Sequence, residues 1–530
     1  MVDLEVLDRD GLGRRARFST PHGTIETPAL LPVVHPDPAR QPVPPSEMRE
    51  RLGVRAVITS SYITWRTPPL RATATERGIH GLLAFNGPIM TDSGAFQQHA
   101  YGSVEVGPEE ILDFQGAIGS DIATVLDLFT EPDVDFAGAE SALTTTMERA
   151  RAARARRDGL LAVPVQGGAH PSLRARAAEQ ASALADVLAA ARPRLAPGAA
   201  LHLFGTGHPM TFAFAALWGV DLFDSSAYHK FARRGSLLFP EGTIAIDDLR
   251  EEICRCFLCA EVPLTEVARL PLAERERRIA FHNLATSVEE IGRVRQAIRD
   301  GTLWELAERR AVAHPALRAG LEAARRHSEV FLPTEPASRR AFREIGSESR
   351  ERPAVARFRQ RVGEYVRDLA LPQRIRRVPL RPEYLGRIPT QDSSGTPLAW
   401  SCDTPLGFYP LELTELYPVG PYLGIAEFES RAEHRAPTAV SEELAALPGL
   451  EIDRDRDWTA EWTDRQVQGL LRWEYGPLVV RNCRRQPKGS ARGAPADFGP
   501  WSRTAGRRSS SARTGSRARR SSAEGSSRRC

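Results

Sequence analysis

The chain has 530 residues, of which 42% are hydrophobic and 26% charged, and its formal net charge is +4. These values are typical of a soluble protein long enough for two to four domains with a large core. Residues 486–530 hold eleven Lys/Arg against two Asp/Glu, so the rest of the chain is net acidic. This uneven charge excludes a generally basic nucleic-acid binder and leaves room only for a local RNA-binding patch.

Membrane and secreted classes are also excluded by the composition. The N-terminus is charged, and no apolar run reaches the roughly 18 residues of a membrane span, so we expect no membrane association. Three of the six cysteines, Cys402, Cys483 and Cys530, are scattered without the spacing of a disulfide framework. That usage fits a reducing compartment and predicts a cytoplasmic protein.

The sequence alternates between apolar runs and helical stretches. The first 30 residues predict short strands with turns, and helical periodicity follows at 108–117, 137–157 and 171–191. Continuous apolar strands between helices indicate a parallel sheet covered on both faces. Six such units favour an α/β fold of the (β/α)8 TIM-barrel type over an open sheet. The predicted strands are 56–61, 88–93, 122–127, 161–166, 201–205 and 219–224.

Polar or glycine residues end five of these strands. In a barrel the chemistry lies at the C-terminal ends of the strands. Each residue alone could be an ordinary turn residue, because Asp and Gly often end strands. Taken together, the five predict a shared site on one rim, formed by Asp92, Asp127, Gln166, Gly205 and Asp224.

Three cysteines and a histidine have the spacing of metal ligands. Cys254, Cys256 and Cys259 lie within six residues, and 22 residues separate the last from His282, giving C-x-C-x2-C-x22-H. Zn²⁺ prefers four tetrahedral N and S ligands, and a site whose positions are all filled by protein is structural. The alternative is three buried thiols and an unrelated core histidine. The pattern favours one structural zinc per chain, in a subdomain at about 240–300.

The C-terminal half predicts a second domain and a tail. Helices are predicted at 287–300, 303–313 and 315–326, and the Arg/Glu-rich stretch 339–361 predicts a helical linker. The predicted domains are a barrel with its zinc subdomain (1–345), a linker helix with a smaller α+β accessory domain (346–485) and a basic disordered tail (486–530). The charge of the tail predicts RNA binding without sequence preference.

Five motifs follow one another over residues 1 to about 300. They are Thr91-Asp-Ser-Gly-Ala-Phe-Gln97, Val165-Gln-Gly-Gly168, His202-Leu-Phe-Gly-Thr-Gly-His-Pro209, Asp221-Leu-Phe-Asp-Ser-Ser-Ala-Tyr228 and the Cys/His pattern. Together, and in this order, they resemble the tRNA-guanine transglycosylases. The segment after Asp224, Ser-Ser-Ala-Tyr-His-Lys-Phe-Ala-Arg, is similar to the archaeal, archaeosine-pathway branch and lacks the Leu-Pro-Thr-Arg element of the bacterial queuosine branch. Residues 376–475 resemble the archaeal accessory domains more loosely.

The resemblance implies replacement of guanine 15 in the D-arm of tRNA by 7-cyano-7-deazaguanine (preQ0), in archaeosine biosynthesis. Exchange with retention needs a carboxylate nucleophile and a proton shuttle. The matching positions imply Asp224 as the nucleophile, through a covalent ribosyl intermediate, and Asp92 as the general acid/base. The implied partners are tRNA, guanine or preQ0, and a second copy in a homodimer. The implied substrate-binding residues are Ser93, Phe96, Asp127, Gln166, Gly167 and Gly205.

The sequence departs from the family in two places. Between Gln166 and Leu201 it lacks a strand-loop-helix whose Gly-Gly-Val-Val-Pro-like loop contacts the base, so we expect a barrel short of one βα unit and an incomplete base pocket. The basic tail stands where archaeal enzymes carry an RNA-binding PUA domain. The alternative function is therefore a non-catalytic or impaired tRNA-binding paralogue or subunit on the same fold. An unrelated zinc-stabilised RNA-binding protein conflicts with the ordered motif set.

Overall fold

The structure is a computed structural model that describes residues 4–95, 106–128, 134–164, 188–189, 195 and 198–368. It also describes the short stretches 374–379, 399–404, 406–410, 416–419, 422–423 and 451–453. Residues Met1–Trp473 belong to one compact unit, and residues 474–530 lie outside the described part.

Four strands come first in the chain, and strands and helices alternate from the fourth strand to about residue 233. The strands are β1 (Glu5–Asp10), β2 (Gly13–Thr20), β3 (Gly23–Thr27), β4 (Ala29–Val34), β5 (Val57–Ser60), β6 (Ile89–Asp92), β7 (Ile122–Thr124), β8 (Leu160–Ala162), β9 (His202–Leu203), β10 (Leu222–Ser225), β11 (Ser236–Phe239), β12 (Gly242–Ala245), β13 (Phe342–Arg343), β14 (Arg374–Pro379), β15 (Ala399–Thr404), β16 (Gly407–Pro410), β17 (Tyr422–Leu423) and β18 (Glu451–Asp453). The helices are α1 (Pro45–Leu52), α2 (Ser61–Arg66), α3 (Pro68–Leu83), α4 (Pro108–Ala117), α5 (Phe136–Arg156), α6 (Pro209–Leu217), α7 (Ala227–Arg233), α8 (Phe257–Glu261), α9 (Leu264–Val267), α10 (Leu272–Asp300), α11 (Leu303–Ala311), α12 (Pro315–Arg326), α13 (Ser328–Phe331) and α14 (Pro353–Asp368).

A parallel sheet of seven strands forms the centre of the protein. Its order is β8-β7-β6-β5-β4-β10-β9, and every neighbouring pair is parallel. The chain visits β4 to β8 in spatial order, and β10 returns to pair with β4, as the last and first strands of a barrel do. This order confirms the predicted α/β barrel. The strand β4 was not predicted, because Pro32 interrupts its apolar run and proline is rare in central strands.

One strand position of an eight-stranded barrel would lie between β8 and β9. The chain that joins them, residues 165–187 and parts of 190–197, falls outside the described residues, so the expected loss of one βα unit stays a prediction. The two strands on either side are only partly buried, whereas β5 and β10 are fully buried. Val163 and Phe204, just beyond β8 and β9, are 41% and 43% exposed.

The antiparallel sheet β1-β2-β3 closes the N-terminal end of the barrel. Phe18 and Ile25 from this sheet pack into one cluster with apolar side chains of the barrel strands, including Leu31, Met90 and Leu222. Full burial of one such side chain stabilises the fold by about 1.5–3 kcal/mol relative to leaving it exposed. We call the three strands the barrel floor.

Two buried carboxylates fasten the floor to the strands above it. Asp221, just before β10, receives hydrogen bonds from Arg14 Nε and Nη2 and from Leu201 N, each 2.8 Å long. Asp121, just before β7, binds His22 Nδ1 and His80 Nε2 at 3.0 Å each and accepts from the backbone N–H groups of His22 and Ile89. Both carboxylates are fully paired by these contacts, which indicates a structural role at this end of the barrel.

The segment after the barrel packs against it through buried ion pairs. Arg352 is 2% exposed and binds Glu305 and Glu308 of α11 at 2.9 and 2.6 Å. The helix predicted over 339–361 begins only at Pro353, because the preceding residues form the short strand β13 and a 3-10 turn against α11. Within the described residues, no helix is long and apolar enough to cross a membrane.

Candidate active site and metal centre

Asp224 lies near the C-terminal end of β10, in the fully buried sequence Leu-Phe-Asp-Ser. Its Oδ1 atom accepts a hydrogen bond from the Gly205 N–H at 2.9 Å and lies 3.1 Å from His202 Nε2. Gly205 has φ of +74°, a left-handed conformation that favours glycine and turns its N–H toward the carboxylate. The predicted pair Asp224 and Gly205 is therefore brought together by the turn after β9.

The backbone beside Asp224 leaves no space for a larger residue at Gly207. A Cβ atom added there would lie 1.7 Å from Ser225 Oγ, and the Ser225 hydroxyl itself donates to the Gly207 carbonyl and accepts from the Ala227 N–H. The loop after β9 and the end of β10 therefore fit closely. This close packing fixes the position of Asp224 at the barrel mouth.

Asp92 ends β6 on the same rim, and the Ser61 hydroxyl holds its backbone by donating to the Asp92 carbonyl at 2.7 Å. Burial raises the pKa of its carboxyl to about 6, the Gly94 N–H partly offsets this, and the negative charges of Asp127 and Asp224 add to the rise. A carboxyl with this pKa can both donate and accept a proton near neutral pH. The three predicted aspartates Asp92, Asp127 and Asp224 thus act on one another electrostatically at one site.

Ser93 links the ends of β6 and β7, and Asp127 lies just beyond β7. The Ser93 side chain is fully buried and donates to the Val125 carbonyl at 3.1 Å, while Asp127 is 6% exposed. Gly94 follows with φ of +101°, and a Cβ atom there would lie 2.5 Å from Tyr62 Cβ, so this turn requires glycine. The other predicted substrate-binding residues, Phe96, Gln166 and Gly167, lie outside the described residues.

His202 is a contact of the candidate nucleophile that the sequence did not single out. Its side chain is 9% exposed, and its ring stacks on Phe204 with centroids 4.0 Å apart. In the sequence His202 stands inside an apolar strand, where a histidine is most often a core residue. In the structure His202 pairs with Leu222, two residues before Asp224, so the two side chains lie on the same face of the sheet. The sequence alone does not give this strand pairing.

The four predicted metal ligands come together as one group. Their ligand atoms all lie within 4.8 Å of one another, with Cys256 Sγ 3.3 Å from Cys259 Sγ and Cys259 Sγ 3.5 Å from His282 Nδ1. Bonds of about 2.3 Å to sulfur and 2.0 Å to nitrogen would place tetrahedral ligands at similar separations. Cys254, the fourth member, accepts the Cys256 N–H. This donor set fits a metal ion without rearrangement of the chain.

Helix α10 connects the metal group to the strand that carries Asp224. His282 is followed by Asn283, whose side chain donates to the Tyr228 and Ser236 carbonyls and accepts from the Leu238 N–H. Tyr228, on the helix that follows Asp224, donates its hydroxyl to the Val33 carbonyl of β4. Asn283, next to His282, and Tyr228 therefore link the metal group to the segment that follows β10.

Comparison with known proteins identifies the family. The family model described as "Queuine tRNA-ribosyltransferase" matches residues 8–316. This chain belongs to that family. Its members catalyse guanine exchange in tRNA, as transferases.

The similar proteins include several named tRNA-guanine(15) transglycosylase. That of Methanosarcina barkeri is 40% identical over 439 residues, covering 78% of this chain and 86% of the relative. That of Archaeoglobus fulgidus is 38% identical over 481 residues, covering 84% and 93%, and that of Haloarcula marismortui is 37% identical over 501 residues, covering 89% and 98%. The recognition made from the five motifs is confirmed.

The same comparisons contain aligned positions that face no residue of this chain. For the M. barkeri relative, 78% of 530 residues is about 413, which leaves about 26 of the 439 aligned positions unmatched. The same reckoning gives about 36 for the A. fulgidus relative and about 29 for the H. marismortui relative. A strand-loop-helix is of this size, since a whole βαβ unit takes roughly 30 residues or more. In each of these comparisons the unmatched positions therefore add up to about the length of one βα unit.

Proposed function

We propose that this protein exchanges guanine 15 of tRNA for 7-cyano-7-deazaguanine through a covalent intermediate on Asp224. The observation that carries the proposal is the meeting of Asp92 and Asp224 at the C-terminal end of the barrel, at the positions to which the sequence resemblance assigns these roles. Retention of configuration at C1′ requires two successive displacements. A carboxylate nucleophile and a separate proton shuttle can together carry out both. The names of the archaeal relatives support position 15 as the target.

The first displacement breaks the bond between C1′ and N9 of guanine. A carboxylate oxygen of Asp224 forms a bond to C1′, the electron pair of the C1′–N9 bond moves to the base, and the proton of the Asp92 carboxyl neutralises it. In the second displacement the Asp92 carboxylate takes the N9 proton of the incoming 7-cyano-7-deazaguanine. Its N9 then bonds to C1′, and the oxygen of Asp224 leaves with the electron pair.

The remaining residues have proposed roles in binding. Asp127, Gln166 and the Gly167 backbone read the base edge by hydrogen bonds, and Phe96 stacks on the base after the nucleotide leaves its helix. Ser93 and Gly205 shape the pocket from beneath. Cys254, Cys256, Cys259 and His282 hold a structural Zn²⁺, which on binding would supply a fixed crosslink rather than chemistry. We place the reaction in the cytoplasm, on tRNA, with two copies of the chain associating as a homodimer.

The test of this function is covalent trapping on tRNA. Asp224→Asn keeps the side-chain shape but removes the anion, so we expect the wild type to form a protein–tRNA adduct and this variant to form none. Binding of tRNA should change less than about threefold, because tRNA affinity rests mainly on backbone phosphates. Asp113→Asn, on the exposed face of α4, is the matched control and should behave as wild type. An adduct that persists in Asp224→Asn would transfer the nucleophilic role to another carboxylate.

A second function is favoured by the unmatched aligned positions. If the base-contacting loop is among them, tRNA binds but the base pocket is open, and the protein acts as a tRNA-binding subunit or impaired paralogue. Wild-type protein that binds tRNA yet neither forms the adduct nor incorporates labelled guanine would support this function over exchange. Labelled guanine incorporation at a rate like that of an archaeal relative would exclude it.

A further inference from the structure

The Asp224 carboxylate is held by two donors that act on the same oxygen. Oδ1 faces His202 Nε2 at 3.1 Å and the Gly205 N–H at 2.9 Å. Among the described residues, both hydrogen bonds to this side chain fall on Oδ1. A carboxylate with two donors on one oxygen has a fixed plane, and its other oxygen, Oδ2, is directed away from those donors.

The position of His202 follows from the strand register. His202 pairs with Leu222 across the parallel strands β9 and β10, so its side chain is on the same face as Leu222 and Asp224. Leu222 belongs to the apolar cluster inside the barrel, so this face is the barrel interior. Phe204, two residues on, covers the His202 ring on the same side. The histidine therefore approaches the carboxylate from beneath and does not line the mouth where a base would enter.

The hydrogen-bond chemistry fixes the role of each ring nitrogen. The unprotonated carboxylate can only accept, so Nε2 of His202 carries the hydrogen of this contact. Nδ1 is buried without a hydrogen-bond partner in the described structure. A buried polar atom left unpaired indicates that the ring is kept for the contact made by its other nitrogen.

We propose that His202 is a positioning residue for the nucleophile, and that it selects Oδ2 of Asp224 as the atom that bonds to C1′. This deepens the proposed function and rests on it. His202 and the Gly205 N–H together hold Oδ1, so the carboxylate cannot rotate to present either oxygen. The histidine acts before and during attack but does not contact the leaving base, which distinguishes it from Asp92.

Three variants test this role. His202→Leu keeps much of the volume but removes the donor, and we expect adduct formation at saturating tRNA to slow by about 10- to 100-fold, as misplacement of a reacting group does. His202→Gln restores an N–H at similar reach and should recover to within about fivefold of wild type. His208→Ser is the matched control, because His208 lies in the loop that follows β9, binds Thr243 rather than Asp224, and a serine can still cap α6 at the Met210 N–H.

The readouts separate positioning from folding. We expect the apparent affinity for tRNA and the melting temperature of His202→Leu to stay close to those of His202→Gln, while the adduct rates of the two differ. Equal adduct rates for His202→Leu and wild type, or no recovery in His202→Gln, would overturn the positioning role. Absence of any adduct in the wild type would instead refute the proposed function, so the two failures are distinguishable.

Discussion

Asp92 and Asp224 are chemically identical side chains placed in different surroundings at the barrel mouth. Asp224 has two donors on one oxygen, whereas Asp92 lies beside two other carboxylates, and burial raises its pKa to about 6. We propose that these different surroundings separate the nucleophile, Asp224, from the acid, Asp92, as in other enzymes that use paired carboxylates. The contacts supply the physical reason for roles that the sequence resemblance only implies, because the sequence itself shows two aspartates that each end a strand.

The raised pKa of Asp92 gives a pH dependence with a definite sign. The first displacement needs the protonated acid, and a carboxyl with a pKa of about 6 loses its proton as the pH rises through that value. We expect the rate of adduct formation to fall by about tenfold per pH unit above roughly pH 6. Asp92→Asn should be much slower and should lack this dependence. A wild-type rate that stays constant from about pH 5.5 to 8 would exclude Asp92 as the acid.

At the scale of elements, the carboxylates at the two ends of one strand have different partners. Asp221 before β10 is paired with Arg14 of the barrel floor, whereas Asp224 near its end faces the mouth. Likewise, Asp121 before β7 is paired with His22 at the floor, whereas Asp127 lies beyond the other end of the strand. Burial raises the pKa of Asp121, but hydrogen bonds from His80, Ile89 and His22 outweigh it and bring the pKa well below the ordinary range. The charged, fully paired Asp121 therefore stabilises the floor.

The metal group joins helix α10, through His282, to the cysteine segment that precedes this helix in the chain. Cys256→Ser removes one thiolate, and we expect zinc content to fall from about one per chain toward zero and the melting temperature to drop. The drop follows because His282 and Asn283 are adjacent on α10 and Asn283 supports Tyr228. Cys530→Ser makes the same chemical change outside the group and should alter neither value. Retention of full zinc content in Cys256→Ser would exclude this ligand set.

At the scale of the whole molecule, a buried ion network joins the C-terminal segment to the barrel. Burial lowers the pKa of Arg352, but its hydrogen bonds and charge interactions with Glu308 and Glu305 outweigh this and raise it. Arg339 binds Asp10 of β1 and Glu335 in the same region. The segment 335–352 is thus held against both the floor and α11, whereas the Arg/Glu-rich composition of 339–361 predicts a helical linker.

Loss of one partner in this network should be costly. Arg352→Met leaves Glu305 and Glu308 buried without their main counter-charge, so we expect the free energy of unfolding to fall by about 3–5 kcal/mol in urea titrations. Arg350→Met removes a single pair, between Arg350, whose side chain is 36% exposed, and the Glu344 side chain, which is 4% exposed, and should cost less than Arg352→Met. Equal losses for the two variants would mean that the network does not hold the segment in place.

Sequence patterns were sufficient for the barrel and for the grouping of the three cysteines with His282, because these depend on strand–helix alternation and on local spacing. They missed β4, where Pro32 interrupts the apolar run, and His202, whose relation to Asp224 exists only through strand pairing. They also read 339–361 as one helix, because the buried partners of Arg352 lie more than 40 residues away in the chain. What escaped the sequence was long-range pairing rather than local conformation.

The barrel floor has a consequence for the order in which the chain can fold. Its residues are made first, yet their partners come late: His22 joins Asp121, Arg14 joins Asp221 and Asp10 accepts the Leu303 N–H, 99, 207 and 293 positions along the chain. Contacts this distant in sequence require large loops to close before they stabilise anything. A nascent chain that ends before Leu303 therefore holds three floor strands without their full set of partners. Completion of the N-terminal end of this protein must wait until more than half of it has been synthesised.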